Sequence, residues 1–447
     1  MINWIPDPDT LFEGIHRLEP GHFLKIGPDL NRSKACYWDM RFDPDYEVSE
    51  SEWIERTHHT LKRAVDRQMR SDVPVGFFLS GGIDSSLLTA TAVEQNGIRP
   101  KAFTIGFRWS QSKEDNLDLQ SARHMKSKFN LDHEEIILEP SILSLLPRVV
   151  ETLEEPIADP AAICSYLICE AAKSQCKVMI SGQGGDEMFG GYPVYLGGQV
   201  AYGLQHLPAF MVSMFDVTSE MLPYSIQGIR LQNVHRLRKL LLSIGHPWPE
   251  PFILLRGAFR PDQASDLLTA QVLGAQFSPF VRHMDYFSRC REFDVVHQMM
   301  YLDIKTYLPC LNLTYTDKTS MAHSIEVRVP FLDMEMALLS SRMPSRYKAN
   351  INDLKVVLKH VAEKVLPKEV IHRKKTGFGL PIKDWFINDL WGLANDLLSE
   401  SRLKRKGLFE APVIQKWLKE HREMQADHSM KLYSLITFEL WSDRFLA

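Results

Sequence analysis

No apolar run in the 447-residue sequence approaches membrane-spanning length. The first residues, Met1-Ile2-Asn3-Trp4-Ile5-Pro6-Asp7, carry neither a basic stretch nor an apolar one, which argues against a secretory leader. Cysteine is scarce, with six residues at positions 36, 164, 169, 176, 290 and 310. None forms a C-x-x-C pair and no H-E-x-x-H occurs, so structural zinc, iron–sulfur and dithiol redox sites lose support. Few cysteines in a long chain fit a reducing compartment and a cytoplasmic location, with the thiols as small buried hydrophobes. The dipeptide Gly-Lys is absent, which excludes a Walker A loop. Basic residues are spread along a chain of net charge −4, so no basic stripe points to nucleic acid. Repeats and low-complexity linkers are also missing.

What is present is an ordinary globular composition, 45% hydrophobic and 24% charged, over a length that suggests two domains. Residues 1–45 are rich in turn formers, with strand-like alternation in His22-Phe23-Leu24-Lys25-Ile26. That piece is too small to hold a core of its own. From Ser49 onward Trp53, Thr57, Leu61 and Ala64 recur at helical spacing, with Ser51 placed to cap. Between 73 and 187 short apolar runs alternate with helical segments. Val75–Leu79, Ala102–Phe107, Glu135–Leu138 and Lys177–Ile180 read as strands; Ser85–Glu94 and Ala161–Lys173 read as helices. This alternation predicts an α/β fold, a doubly wound parallel sheet. Residues 195–447 read as mostly helical.

Two glycine loops stand out. Ser80-Gly81-Gly82-Ile83-Asp84-Ser85 follows one strand and opens a helix. Its glycines admit an anion, and successive N–H groups, the helix N-terminus and the hydroxyls supply donors. Asp84 is misplaced beside a phosphate unless a cation lies between them, which points to Mg²⁺. Ser181-Gly182-Gln183-Gly184-Gly185-Asp186-Glu187 follows another strand, and Asp186 is a candidate to share that metal. Lys375, beside Thr376-Gly377-Phe378-Gly379, reads as a loop lysine free to reach a phosphate. Glu326, Arg328 and Asp333 fit either an ion-pair network between helices or direct substrate contact.

The first loop resembles the pyrophosphate loop of the ATP pyrophosphatases. Taken with the second loop, with Asp317–Asp333 (D-x-x-S-M-A…E-x-R-x-P-F-L-D), with Glu154-Glu155-Pro156, and with Leu366-Pro367 followed by Arg373-Lys374-Lys375-Thr376-Gly377-Phe378-Gly379-Leu380-Pro381, it resembles the synthetase domain of the asparagine synthetase family. The likeness runs from about residue 5 to the C-terminus. It implies that residues 46–447 form the synthetase domain and 1–45 the tail of a glutaminase domain. It implies ATP as substrate and Mg²⁺ as cofactor. A carboxylate attacks the α-phosphate and expels pyrophosphate, and ammonia then displaces AMP. By position, Ser80, Gly81, Gly82, Asp84 and Ser85 hold pyrophosphate. Leu79, Ile105, Ser181 and Gly182 contact adenosine. Asp84 and Asp186 hold Mg²⁺, and Lys375 stabilises the transition state. A homodimer is compatible with the resemblance.

Two departures follow. The family usually carries glutamate, active in adenylation and amine attack, at the position of Gln183. Glutamine hydrogen-bonds but cannot take a proton, which leaves the carboxylate open: aspartate, a sugar acid of polysaccharide assembly, or another. Residues 5–38 resemble only the tail of the glutaminase domain, so ammonia from a separate glutaminase is the expectation. Two other readings differ in kind: a thiolating enzyme acting on RNA, disfavoured by the absent C-x-x-C, and a nucleotide-binding scaffold that has lost catalysis.

Overall fold

The computed structural model describes residues 2–107, 117–138, 144–208, 211–212, 225–226, 229–230, 232–274, 280–373, 382–386 and 390–446. At its centre lies a five-stranded sheet formed by β3 (Val75–Phe78), β4 (Lys101–Phe107), β5 (Asp132–Leu138), β6 (Val178–Ile180) and β9 (Glu326–Arg328), in the order β5-β4-β3-β6-β9. Every pairing in it is parallel. Two antiparallel pairs stand apart: β1 (His22–Ile26) with β2 (Arg32–Cys36), and the two-residue β7 (Ser225–Ile226) with β8 (Ile229–Arg230).

Helices cover both faces of the sheet, which explains why its strands read as nearly continuous apolar runs. Phe103, Ile105 and Met179 point into a core shared with α4 (Leu146–Leu153), α5 (Ala161–Ala172) and the C-terminal helix Ser429–Phe445. Phe77, Leu79, Ala102 and Ile180 point the other way, toward α1 (Glu50–Met69), α2 (Ile83–Asn96) and the helix Val356–Glu363. The connections β3-α2-β4 and β4-α3-β5, with α3 at Leu117–Phe129, run toward one edge of the sheet. The chain then returns through α4 and α5 to place β6 on the other side of β3. The strand order therefore reverses between β3 and β6. In open parallel sheets ligands bind at such a reversal, outside the carboxyl ends of the strands. Both glycine loops leave the sheet there.

The predicted elements are present with small shifts at their ends, and the helical face Trp53, Thr57, Leu61 and Ala64 is buried as expected. Three expectations need correction. The cap of α1 is Ser49, whose side chain accepts from Glu52 N, while Ser51 lies within the first turn. The fifth strand, Glu326–Arg328, arises in a region read as helical, because Lys177 and Ser181 reach across to pair with it. Cys36 is exposed, unlike the other five cysteines, because it ends β2, whose residues are all exposed.

Residues before α1 are fixed to the body by both apolar and polar contacts: Trp4 is buried in one core and Met40, Phe42 and Val48 in the other. Arg17 pairs with Asp7 at 2.8 Å and Glu155 at 3.3 Å, and Arg282 pairs with Asp9 at 2.6 Å. The Glu154-Glu155-Pro156 step thus anchors this segment, and Glu154 O also accepts from Trp441 Nε1 at 2.8 Å. Among the described residues no helix is long and apolar enough to cross a membrane.

Lys348 is fully buried, with Nζ 3.1 Å from His297 Nε2. His297 Nδ1 lies 2.7 Å from Asp294 Oδ2, and its ring stacks on Phe42. Burial, then the neighbouring Lys348, hold the His297 imidazole down at about 4. A base lowered from about 6.5 contributes stability above that pH and loses it as pH falls through the folded value. The contribution is at most roughly 3 kcal/mol for a shift of this size. Urea midpoints taken from pH 7 to pH 4 should therefore fall less steeply for His297→Gln than for the wild type. Parallel profiles would show that His297 does not carry this dependence.

Candidate active site

The first loop begins where Leu79 N donates to Phe103 O at 2.9 Å, extending β3 by one residue. Gly81 then turns the chain with φ +65, and a Cβ there would sit 2.5 Å from Asp118 O, so only glycine fits. Gly82 leads into α2 without a side-chain cap, which leaves the first N–H groups of that helix directed at the loop. Inside the turn Ser80 Oγ and Ser85 Oγ lie 3.1 Å apart, and Ser85 Oγ accepts from Ser80 N at 3.2 Å. Ile105 sits in neighbouring β4 and is buried, as are Leu79 and Ser181. One further cation stands over this loop. Arg373 pairs with Asp118 at 2.5 Å, and its Nη1 is buried without a hydrogen-bond partner among the described residues.

The second loop leaves β6 and enters the short helix α6 (Gly185–Phe189). Gly182 packs directly on the first loop: a Cβ there would lie 2.9 Å from Asp84 Cβ and 3.0 Å from Ser85 N. This close approach brings Asp84 and Asp186 onto one point, and Lys355 Nζ occupies it. The ammonium lies 2.6 Å from Asp186 Oδ1 and donates to Asp84 Oδ2. Its side chain is 5% exposed. The two carboxylates hold the Lys355 ammonium above its ordinary range against the opposing effect of burial, which is the largest influence on it.

Gln183 contacts the region of residues 312–316. Its Nε2 donates to Thr316 Oγ1 at 2.6 Å and to Asn312 O and Tyr315 OH at 3.3 Å. A main-chain carbonyl only accepts, so the amide orientation is settled, and Oε1 is buried with no partner among the described residues. Asn312 Nδ2 donates in turn to Glu187 Oε1 at 3.0 Å, and Tyr192 OH donates to the same oxygen at 2.7 Å. Burial, with Asp186 adding to it, pushes the Glu187 carboxyl up to about 7. Arg256 lies beyond, its guanidinium 4.1 Å from the Tyr192 ring centre and 4.2 Å from that of Tyr307, and paired with buried Asp303. Asp303, Tyr307 and Asn312 all come from a π-helical stretch, Asp303–Leu313, that contains Pro309. Such widened turns are rare and concentrate at functional sites.

The structure therefore brings Ser80, Gly81, Gly82, Asp84, Ser85, Ser181, Gly182, Gln183 and Asp186 to one sheet edge. Lys375 lies outside the described residues. The backbone of Arg328 borders this edge, its O accepting from Ser181 N at 2.8 Å, but the side chains are engaged elsewhere: Arg328 pairs with exposed Glu326 and donates to Gln68 O and Arg70 O, and Asp333 pairs with Arg67 and caps the helix Met334–Arg342. Lys355, Arg373, Asn312 and the Arg256–Asp303 pair do not stand out in the sequence. No glycine loop or motif spacing marks Lys355, Asn312 or Arg256. Arg373 stands inside a motif read for its lysine.

Among the described residues no group of three or more His, Cys, Asp and Glu could hold a metal. Two carboxylates converging on a stand-in ammonium do fit Mg²⁺ of the kind that takes one or two protein carboxylates and completes its shell with phosphate and water.

The Gln183 contacts generate a test. A carboxylate in its place faces the Asn312 carbonyl without a proton to donate. Gln183→Glu should lower the unfolding free energy at pH 8 by about 1–3 kcal/mol. The loss should be smaller at pH 5, because burial at this position raises a carboxyl above its ordinary range and favours its protonated form there. Equal losses at both pH values, read from urea midpoints, would count against this amide-specific contact.

A family model for asparagine synthase matches residues 56–443. Asparagine synthetase (glutamine-hydrolyzing) 1 of Bacillus subtilis is 29% identical over 446 residues, covering 98% of this chain and 67% of that one. Amidase chry2 of Gibberella zeae is 24% identical over 443 residues, covering 91% and 64% respectively. Among solved structures, NMN synthetase from Francisella tularensis aligns with 56% of this chain and 96% of that one at 16% identity, with a TM-score of 0.23 that adds nothing to the fold described above. The chain spans about two thirds of the length of the curated relatives it matches. Its sequence along nearly the whole sheet and helical body, with both glycine loops inside the matched span, places the chain in the asparagine synthase family.

Proposed function

We propose that the chain is an ATP-dependent carbon–nitrogen ligase that adenylates a carboxylate and converts it to an amide. The observation that carries this reading is the convergence of both glycine loops, with Asp84 and Asp186, at the β3–β6 reversal. An acceptor oxygen bonds to the α-phosphorus while the bond to the bridging oxygen of the β-phosphate breaks. Pyrophosphate leaves into the N–H groups and hydroxyls of residues 80–85. Mg²⁺, held by Asp84 and Asp186, would supply charge neutralisation at the leaving group. Ammonia then attacks the acyl carbon, AMP departs, and the nitrogen sheds a proton. Leu79, Ile105, Ser181 and Gly182 line the strand ends where adenosine fits.

Aspartate is the first acceptor to test, with asparagine, AMP and pyrophosphate as products. A second reading, another acceptor such as a sugar acid, is favoured by Gln183. Its amide is committed to Asn312 and its free oxygen accepts hydrogen bonds without taking a proton. Isotope exchange between pyrophosphate and ATP, screened across carboxylates, tests both. Exchange with no carboxylate would overturn adenylation.

Lys375 is assigned to the charge that builds on the α-phosphate. Removing one positioned donor from such a site costs about 2.7–4 kcal/mol, or about 10²–10³ in rate. Lys375→Ala should lower kcat by that factor with a smaller change in apparent ATP affinity. A loss below about threefold would remove Lys375 from the mechanism.

The nitrogen donor is assigned to a glutaminase seated on residues 1–45, the tail of such a domain in this reading. The hairpin there exposes apolar side chains on both faces, among them Phe23, Ile26, Leu30 and Tyr37. Exposed Cys36, whose Sγ donates to Trp38 O, has no neighbouring base that the described contacts reveal. The 447-residue chain should therefore use ammonia, with rates following the unprotonated fraction, and release no glutamate from glutamine. Glutamate release that survives Cys36→Ser would overturn this assignment.

A further inference from the structure

Lys355 reaches the carboxylates by an arranged route. It takes the left-handed conformation, φ 55, immediately before the helix Val356–Glu363. Val356 N donates to Lys348 O at 3.1 Å, tying this turn to the buried Lys348–His297 pair. Its stem passes over Gly191, where a Cβ would lie 2.0 Å from Lys355 Cε. The ammonium ends between Asp84 and Asp186, and a divalent ion bound to the same two oxygens, at about 2.1 Å from each, would need the same space.

We propose that Lys355 is the resident counter-cation of the metal position. In the nucleotide-free protein its ammonium excludes a divalent ion. A metal enters only with a polyphosphate, whose oxygens take the ammonium over from the carboxylates. Metal loading is thereby tied to nucleotide binding, and the two acids never face each other uncompensated. This rests on the assignment of Asp84 and Asp186 to a metal in the proposed function.

The probe is Mn²⁺ alone, titrated into the full chain without nucleotide and followed by the loss of its free-ion electron paramagnetic resonance signal. Wild type should bind at this site at least tenfold more weakly than Lys355→Met, and adding Asp84→Asn to that variant should abolish the gain. Lys355→Gln, which keeps most of the stem and an amide to bridge the acids, replaces Lys355→Met if the latter does not fold. Equal Mn²⁺ affinity in wild type and variant overturns the inference, as does tight wild-type binding that Asp84→Asn removes. Pyrophosphate–ATP exchange by the wild type is read in parallel. Exchange together with equal Mn²⁺ affinities overturns the role of Lys355 and leaves the ligase standing. No exchange together with a Lys355-dependent gain overturns the ligase and leaves the role of Lys355 standing.

Discussion

The meeting of Asp84 and Asp186 at Lys355 is the constraint around which the rest of the site is arranged. Two carboxylates cannot share a small, mostly buried space without a cation, because each has given up most of its hydration and repels the other. The fold supplies one from a distant part of the chain: Asp84 and Lys355 are 271 residues apart. Parallel pairing of β3 with β6 sets the loops side by side. Gly182 lets one loop touch the other, and Gly191 lets the lysine stem through. A side chain at either glycine would separate the charges that the site exists to hold together.

Around this charged point the chain separates two kinds of chemistry. The first loop, the uncapped start of α2 and Arg373 form a cationic and donor-rich side suited to phosphate. The side of the second loop that faces the π-helical stretch is built of Gln183, Glu187, Tyr192 and Asn312, joined in one hydrogen-bond network. Burial pushes the Glu187 carboxyl up, and its Oε1 accepts from both Asn312 Nδ2 and Tyr192 OH. The bonds from Gln183 Nε2 to Thr316, Asn312 and Tyr315 hold the amide nitrogen in this network and leave Oε1 without a partner among the described residues.

Much of the fold is legible in the amino-acid pattern alone. β4 alternates between two cores, Ala102 on one face and Phe103 and Ile105 on the other, so the run is apolar throughout and marks a strand covered on both sides. The α1 face is equally plain, because helical period and burial coincide at Trp53, Thr57, Leu61 and Ala64. The strand Glu326–Arg328 is hidden, since three residues carry too little period and its existence depends on β6 lying beside it. Ser49 rather than Ser51 caps α1 because the choice between nearby serines is made by the backbone turn, which composition does not encode.

The sequence by itself determined the local features: two glycine turns placed after buried strands, their acids and hydroxyls, and the apolar pattern of a parallel sheet. Each of these depends on residues within a few positions of one another, so local period and turn chemistry suffice to read it. Only the tertiary structure decided that the two turns share one edge at the β3–β6 reversal, that Lys355 fills the gap between their acids, and that Gln183 turns its amide nitrogen toward Asn312. Those contacts join residues far apart in the chain. They follow from strand order and from the packing of a π-helical stretch against a loop, and no local window of sequence contains both partners.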